Sequence, residues 1–260
     1  MAQVYGSVLY DNILRDGVVT YSGTEISGFE AVNAYDWRDF TLFRTSAGTT
    51  NLDIVFTEEQ TIKDAVLFIS RDSSSDATIN IKIETGSGTN VFDTFGATAI
   101  SGNGNSLIAF TGDEVLDTGA RLRVETTCTS SDLLDFRQIV IGESLVFPRG
   151  QRGDITPPNL TYGTVFDNVI SVNGSVIGRT VRRLDKTNQI VLDNLTQEWI
   201  RNEWETFVQH AVNYPFIYSW DRVNYPQELG FSIAETINPP VNSDPVPKMK
   251  VTMPLKTITE

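Results

Sequence analysis

Two stretches of the chain alternate apolar and polar residues without a break. In Ala77–Glu84, Ile79, Ile81 and Ile83 fall on one side of an extended backbone, and Asn80, Lys82 and Glu84 fall on the other. In 120–125, Leu122 and Val124 oppose Arg121, Arg123 and Glu125 in the same way. Strands of this kind have one dry face and one wet one. Leu52–Phe56, Ala65–Ser70, Leu107–Phe110 and Phe136–Ile141 are further apolar runs separated by Gly, Ser and Asp. Together the six predict a two-sheet sandwich.

After the prolines at 157 and 158 the runs are shorter. Thr164–Phe166 and Val169–Val172 precede Asn173-Gly174, and Ser175–Ile177 follows it. Asn-Gly between β-branched runs predicts a hairpin with a type I′ turn, in which both central residues take positive φ. Arg179–Leu184 and Ile190–Leu192 continue the strands. The period then changes. From Thr196 to Ala211, Trp199, Ile200, Trp204, Phe207, Val208 and Ala211 recur at three- and four-residue steps, which predicts one amphipathic helix over 196–211. Its start has two candidate caps, Asn194 paired with Gln197 in a capping box, or Thr196. At about 100° per residue, Trp199 and Trp204 lie about 140° apart around an ideal α-helix. Trp204 therefore belongs to the core stripe and Trp199 to its margin, where it packs on the domain's own sheet or anchors a partner subunit. Phe216–Trp220, Leu229–Ile233 and Lys250–Met253 complete a small sheet or half-barrel with the helix laid across it, and the loop from Pro239 to Pro247 reads as a rigid crossing.

Charge divides the chain where the pattern does. Residues 1–147 carry 21 acidic against 9 basic side chains, a net of −12, whereas 148–260 carry 12 against 11. Pro148, Gly150, Gly153, Pro157 and Pro158 mark the seam. The expected organisation is a mainly β chain with a β-sandwich at 1–147, a Pro/Gly linker at 148–158 and a smaller β domain at 159–260. A formal net charge of −13 argues against nucleic acid and anionic membrane as partners. No apolar run is long enough to span a bilayer, so no membrane insertion is expected. With one cysteine, Cys128, and one histidine, His210, neither an intrachain disulfide nor a soft-ligand metal site is expected.

Little in the chain has the makings of an active site. His210 falls in the last helical turn, where its cation suits the dipole, and Cys128 reads as a small buried thiol. No catalytic residues and no cofactor are expected. Asp72 and Asp76 bracket three serines in a polar loop that is either simply solvated or wraps a calcium ion, without the spacing of a known calcium loop. Arg152-Gly-Asp154 matches an adhesion tripeptide by letters only. Asn33–Phe40 is richer, since aromatic and charged residues alternate there. That composition fits a carbohydrate platform, with Tyr35 or Trp37 stacking on a sugar face while Asp36, Arg38 or Asp39 bonds hydroxyls. It fits equally a core tryptophan beside a salt-bridged turn.

The stretch from Leu9 to Phe56, with Ala31–Phe40 followed by Leu52–Phe56, resembles the opening of galactose-binding-like (discoidin-type) jelly rolls, with Phe136–Gly142 as the returning last strand. The resemblance implies a sandwich that contacts sugars through loops at one end, or that only packs. The hairpin, the 196–211 helix, Phe216–Trp220 and Tyr225-Pro226 resemble the tube-forming β domain of distal tail and tail-tip proteins of tailed bacteriophages. That likeness implies a non-enzymatic tail-tip or baseplate subunit, made in the host cytoplasm and carried on the virion. Its near-neutral second domain would form a homo-oligomeric ring and its acidic sandwich would face outward, toward neighbouring tail proteins and host glycans. Interface candidates are Trp199 and an edge strand, either Val169–Val172 or the one containing Lys250. The alternative is a free-standing carbohydrate-binding module.

Overall fold

The structure is a computed structural model and describes residues 5–38, 40–71, 77–84, 93–100, 104–128, 133–151, 156–160, 163–185, 187–243 and 248–258. It is mainly β, as the alternation predicts. Two compact units divide it. One takes in Ser7–Val146, and the other Met1–Gly6, Phe147–Asn224 and Glu228–Thr259. The second unit thus begins before the sandwich and resumes after it, whereas the charge and the prolines had suggested a simple succession.

The first unit contains β1 (Ser7–Leu9), β2 (Gly17–Tyr21), β3 (Phe43–Arg44), β4 (Gly48–Phe56), β5 (Gln60–Arg71) and β6 (Ala77–Glu84). It continues with β7 (Asp93–Ile100), β8 (Gly104–Leu116), β9 (Arg121–Cys128), β10 (Asp135–Gly142) and β11 (Leu145–Val146). Two antiparallel sheets, β3-β10-β5-β8 and β2-β4-β9-β6-β7, face each other. The alternating residues point as predicted, with Ile79, Ile81, Ile83, Leu122 and Val124 in the shared core alongside Leu67, Phe136 and Ile139. On the wet face of the second sheet, Asp53 holds Arg123 through two bonds of 2.6 and 2.7 Å, Glu125 accepts from Lys82, and Glu84 accepts from Arg121. The hydrogen bond from Lys82 holds the Glu125 carboxyl below the usual carboxylate range.

One edge of β10 is closed by a side chain. β3 reaches only as far as Phe136. Beyond it, Asn12 Nδ2 donates to the Ile139 carbonyl at 2.8 Å, and Asn12 Oδ1 accepts from Ile141 N at 3.2 Å. A buried asparagine imitates a neighbouring strand, and it also caps the 3₁₀ turn Ile13–Arg15.

The second unit contains β12 (Gly163–Ile170), β13 (Val176–Asp185), β14 (Thr187–Leu195), β15 (Phe216–Ser219), β16 (Leu229–Ala234), β17 (Val241–Ser243) and β18 (Lys248–Ile258). Its own strands follow the order β15-β16-β18-β14 within one sheet, with β17 also on β18, while β12 and β13 form a separate hairpin. Within the stretch expected as a linker, Gln151 and Pro158 are tied into this unit. Gln151 Nε2 donates to the buried Tyr218 hydroxyl, Gln151 Oε1 accepts from Val191 N, and Pro158 is buried. Desolvation raises the Tyr218 hydroxyl well above the usual tyrosine range.

The hairpin forms, but with a different turn. Gly174 N donates to the Ser171 carbonyl and Ser171 N to the Ser175 carbonyl, and of Asn173 and Gly174 only the glycine has positive φ, 82°. That is a three-residue loop with glycine in the left-handed position, so Asn173 escapes the strain a type I′ turn would impose. The helix is capped by Thr196, whose hydroxyl accepts from Trp199 N at 3.2 Å, while Asn194 sits at φ 57° and does not cap. The helix is α over Gln197–Trp199, π over Ile200–Trp204 and α again over Glu205–Ala211. In the π stretch Glu205 N donates to the Ile200 carbonyl, five residues back. Residues five apart therefore come into line, and the Trp199 and Trp204 rings lie 6.0 Å apart instead of on diverging sides. Their environments still differ, since Trp204 is buried and Trp199 is partly open. Ile200, Phe207 and Ala211 join Trp204 on the buried side, and Phe207 meets Phe216 of β15 edge to face at 4.8 Å.

Candidate functional site

The turn from Tyr35 to Thr41 is the most elaborately braced loop among the described residues of the sandwich. A β-bulge in β10 makes it so. Phe136 pairs with Ile69 and Gln138 with Phe68, leaving Arg137 as the extra residue. The insertion reverses the parity of the strand, so Phe136 and Ile139 both enter the core while Gln138, between them, does not. Gln138 Nε2 donates to Asp36 Oδ1 at 3.0 Å and to the Arg38 carbonyl at 2.9 Å, and Gln138 Oε1 accepts from Trp37 N at 3.2 Å. Asp36 in turn accepts from Arg38 N and from the Thr41 hydroxyl, and Asn33 Nδ2 donates to the Leu42 carbonyl at the base. Held in this way, Trp37 takes a φ of 63°, which is rare for an aromatic residue.

The octet's residues separate by role. Trp37 is 3% exposed, so its ring is removed from any platform, for the reason that the strained turn folds it inward. Tyr35 is half-buried against the core, and desolvation, then the charge of Glu25, raises its hydroxyl above the usual tyrosine range. Arg38 is exposed. Phe40, which closes the octet and was not among the stacking candidates Tyr35 and Trp37, is 78% exposed. Gln138 was also missed, although a polar residue amid Phe136, Ile139, Val140 and Ile141 is a visible break. The loop thus offers one aromatic face and one guanidinium on a rigid base. It brings together no nucleophile and base, and among the described residues no three His, Cys, Asp or Glu side chains are grouped to hold a metal ion.

The remaining candidates are dispersed. Asp72, Asp76 and the Arg152-Gly-Asp154 tripeptide lie outside the described residues. Cys128 is buried, with Thr45 Oγ1 3.7 Å from its sulfur. His210 Nε2 bonds the Pro215 carbonyl oxygen at 2.8 Å, at the helix end. Lys250 does not lie on an edge. β18 pairs with β14 along one side and with β16 and β17 along the other, so that strand cannot extend the sheet to a neighbour. Val169 and Val172 are exposed on the hairpin.

No protein-family model and no curated protein sequence matches the chain. Among solved structures, the chain is similar to chitosan-binding module 1 from a Paenibacillus sp. IK-5 chitosanase/glucanase, at 21% identity and a TM-score of 0.41, over 51% of this chain and 99% of that one. It is similar to CBM32-1 from a family 31 glycoside hydrolase of Clostridium perfringens, at 14% identity and TM-score 0.41, over 52% of this chain and 99% of the module. A third is a Clostridium perfringens CBM32 module in complex with GalNAc-β-1,3-galactose, at 12% identity and TM-score 0.41, over 53% and 100%. These are carbohydrate-binding modules, and none of the three is a tail protein.

Proposed function

We propose that the protein is non-enzymatic and that its sandwich contacts carbohydrate at the 35–41 loop, with Phe40 stacking on a sugar face and Arg38 donating to hydroxyls. The observation that carries this reading is that Phe40 and Arg38 are both exposed, two residues apart in sequence, next to a turn fixed from beneath by Gln138. The field of a net −12 sandwich favours neutral or amino sugars over uronic or sulfated ones. Glycan-array screening followed by calorimetry tests it. Phe40→Ala should weaken binding about tenfold, equivalent to about 1.4 kcal/mol, with Arg38→Ala weaker still toward hydroxyl-rich ligands and thermal stability unchanged. An array without hits, or affinities indifferent to both substitutions, would reduce the loop to a packing element.

A second reading is favoured by a separate observation, the exposed aliphatic residues of the β12–β13 hairpin. In it the chain is a structural subunit of a phage tail tip or baseplate, assembled into a ring with other copies and neighbouring tail proteins, with the sandwich outward on the virion. A mass measurement on the intact chain tests this reading, and a monomer at every concentration counts against it.

A further inference from the structure

Asn173 and Gly174 form the tip of the β12–β13 hairpin, and both are exposed. An asparagine followed by glycine has a reaction of its own. The backbone nitrogen of the second residue can attack the side-chain amide carbon of the first, and glycine, having no Cβ, leaves that approach open. Elsewhere such amides are engaged. Asn33 donates its side-chain amide to the Leu42 carbonyl, Asn80 to Glu125, Asn224 to Asp221 and Asn238 to the Thr252 carbonyl. That of Asn173 has no partner among the described residues.

Hydrogen bonds close the tip. Gly174 N donates to the Ser171 carbonyl at 2.9 Å, Ser171 N to the Ser175 carbonyl at 2.8 Å, and Ser175 N to the Ser171 hydroxyl at 3.1 Å. The first of these occupies the attacking nitrogen, so the closed turn withholds the nucleophile. Opening is cheap, because among the described residues the two strands pair only with each other, and a lone two-stranded ribbon is marginal in water. We infer that Asn173 is a site of spontaneous deamidation, gated by the opening of this turn. Gly174 N gives its proton to solvent base and forms a bond to Asn173 Cγ. The Cγ–Nδ2 bond breaks, and the nitrogen takes up a proton and leaves as ammonia. Water then opens the cyclic imide at either carbonyl, leaving aspartate, or isoaspartate in which the main chain runs through the former side chain. The step needs no oxidant and no further side chain. Residues 168–178 contain no charged side chain, so the product puts a carboxylate where the hairpin has none, and the isoaspartate form lengthens the backbone of a tight loop.

Peptide mapping by mass spectrometry tests it, on the full-length chain incubated at neutral and at mildly alkaline pH, folded and in urea. The folded wild type is expected to convert at position 173, faster as pH rises and more slowly than in urea, where no turn withholds the nitrogen. Asn173→Gln should abolish conversion at that position, since the longer side chain closes a less favourable ring. Ser171→Ala removes one bond of the turn and leaves the Asn-Gly pair intact, so it should speed conversion in the folded chain and leave the rate in urea unchanged. The other Asn-Gly of the sequence, Asn103-Gly104, is read in the same digests to show that the conditions are reactive. A folded chain that keeps Asn173 intact while the unfolded chain converts would overturn the site. Conversion equally fast in both, and indifferent to Ser171→Ala, would overturn the gate and leave the site standing.

Discussion

Trp37 shows how a single residue's backbone decides what a loop can offer. A left-handed aromatic costs about 1–3 kcal/mol in local strain, and Gln138, which accepts from Trp37 N and donates to Asp36 and to the Arg38 carbonyl on either side of it, holds it there against that cost. The result buries the indole and leaves Phe40 and Arg38 outward. Asn12 performs a comparable task at the other margin of β10. Replacing it with Ala removes both partners of the Ile139 carbonyl and Ile141 amide, which remain buried. At about 1–3 kcal/mol for each orphaned group, Asn12→Ala should lower the sandwich's stability by about 2–4 kcal/mol in urea unfolding, with Asn12→Asp nearer the wild type only if Ile139 finds another donor. The octet around Trp37 stood out in the sequence because aromatic and charged residues alternate there so densely. Which ring would be open was not legible, because a bulge at Arg137, distant in sequence, sets the orientation of Gln138 and through it the turn.

At the level of elements, strict alternation served well where one face is dry, as in β6 and β9. It failed for β7, Asp93–Ile100, where only Ile100 is buried and Gly96 interrupts the run. There Gly96 lies against Phe110, and Gly112 lies against Phe95, so two glycines make room for two rings. No periodicity records such a reciprocal fit. The helix shows another limit. Its apolar stripe was plain, but one π turn changes which residues share a side, and a 3.6-residue period cannot anticipate it. The consequence is measurable. Trp204→Ala should cost about 3–5 kcal/mol through the cavity it leaves, whereas Trp199→Ala should cost less because its ring is partly open. The Trp204 indole nitrogen is buried without a hydrogen-bond partner among the described residues, so Trp204→Phe should retain most of the stability that Trp204→Ala loses. Thermal unfolding of the three variants decides it, together with near-ultraviolet circular dichroism, where coupling between rings 6.0 Å apart disappears on removal of either one.

For the whole molecule, the decisive observation is where the second unit begins. Phe147 N donates to the Gly6 carbonyl at 2.9 Å, and a side chain at Gly6 would collide with Gln151, Phe147 and the Ser219 carbonyl. Immediately beyond these residues, β1 and β11 pair, Ser7 with Val146 and Val8 with Leu145. The sandwich therefore enters and leaves through adjacent strands, as an insertion in the second unit. Composition placed the seam near Pro148 but could not reveal that Gly6 lies on the far side of it. Ends this close allow an insert to be removed, since a short turn replaces what the folded sandwich already holds together. A chain in which Gly6 is joined to Phe147 through a Gly-Ser turn should still fold cooperatively, with a single transition in urea unfolding. A chain that simply starts at Phe147 should be less stable, because it lacks the Gly6 contact.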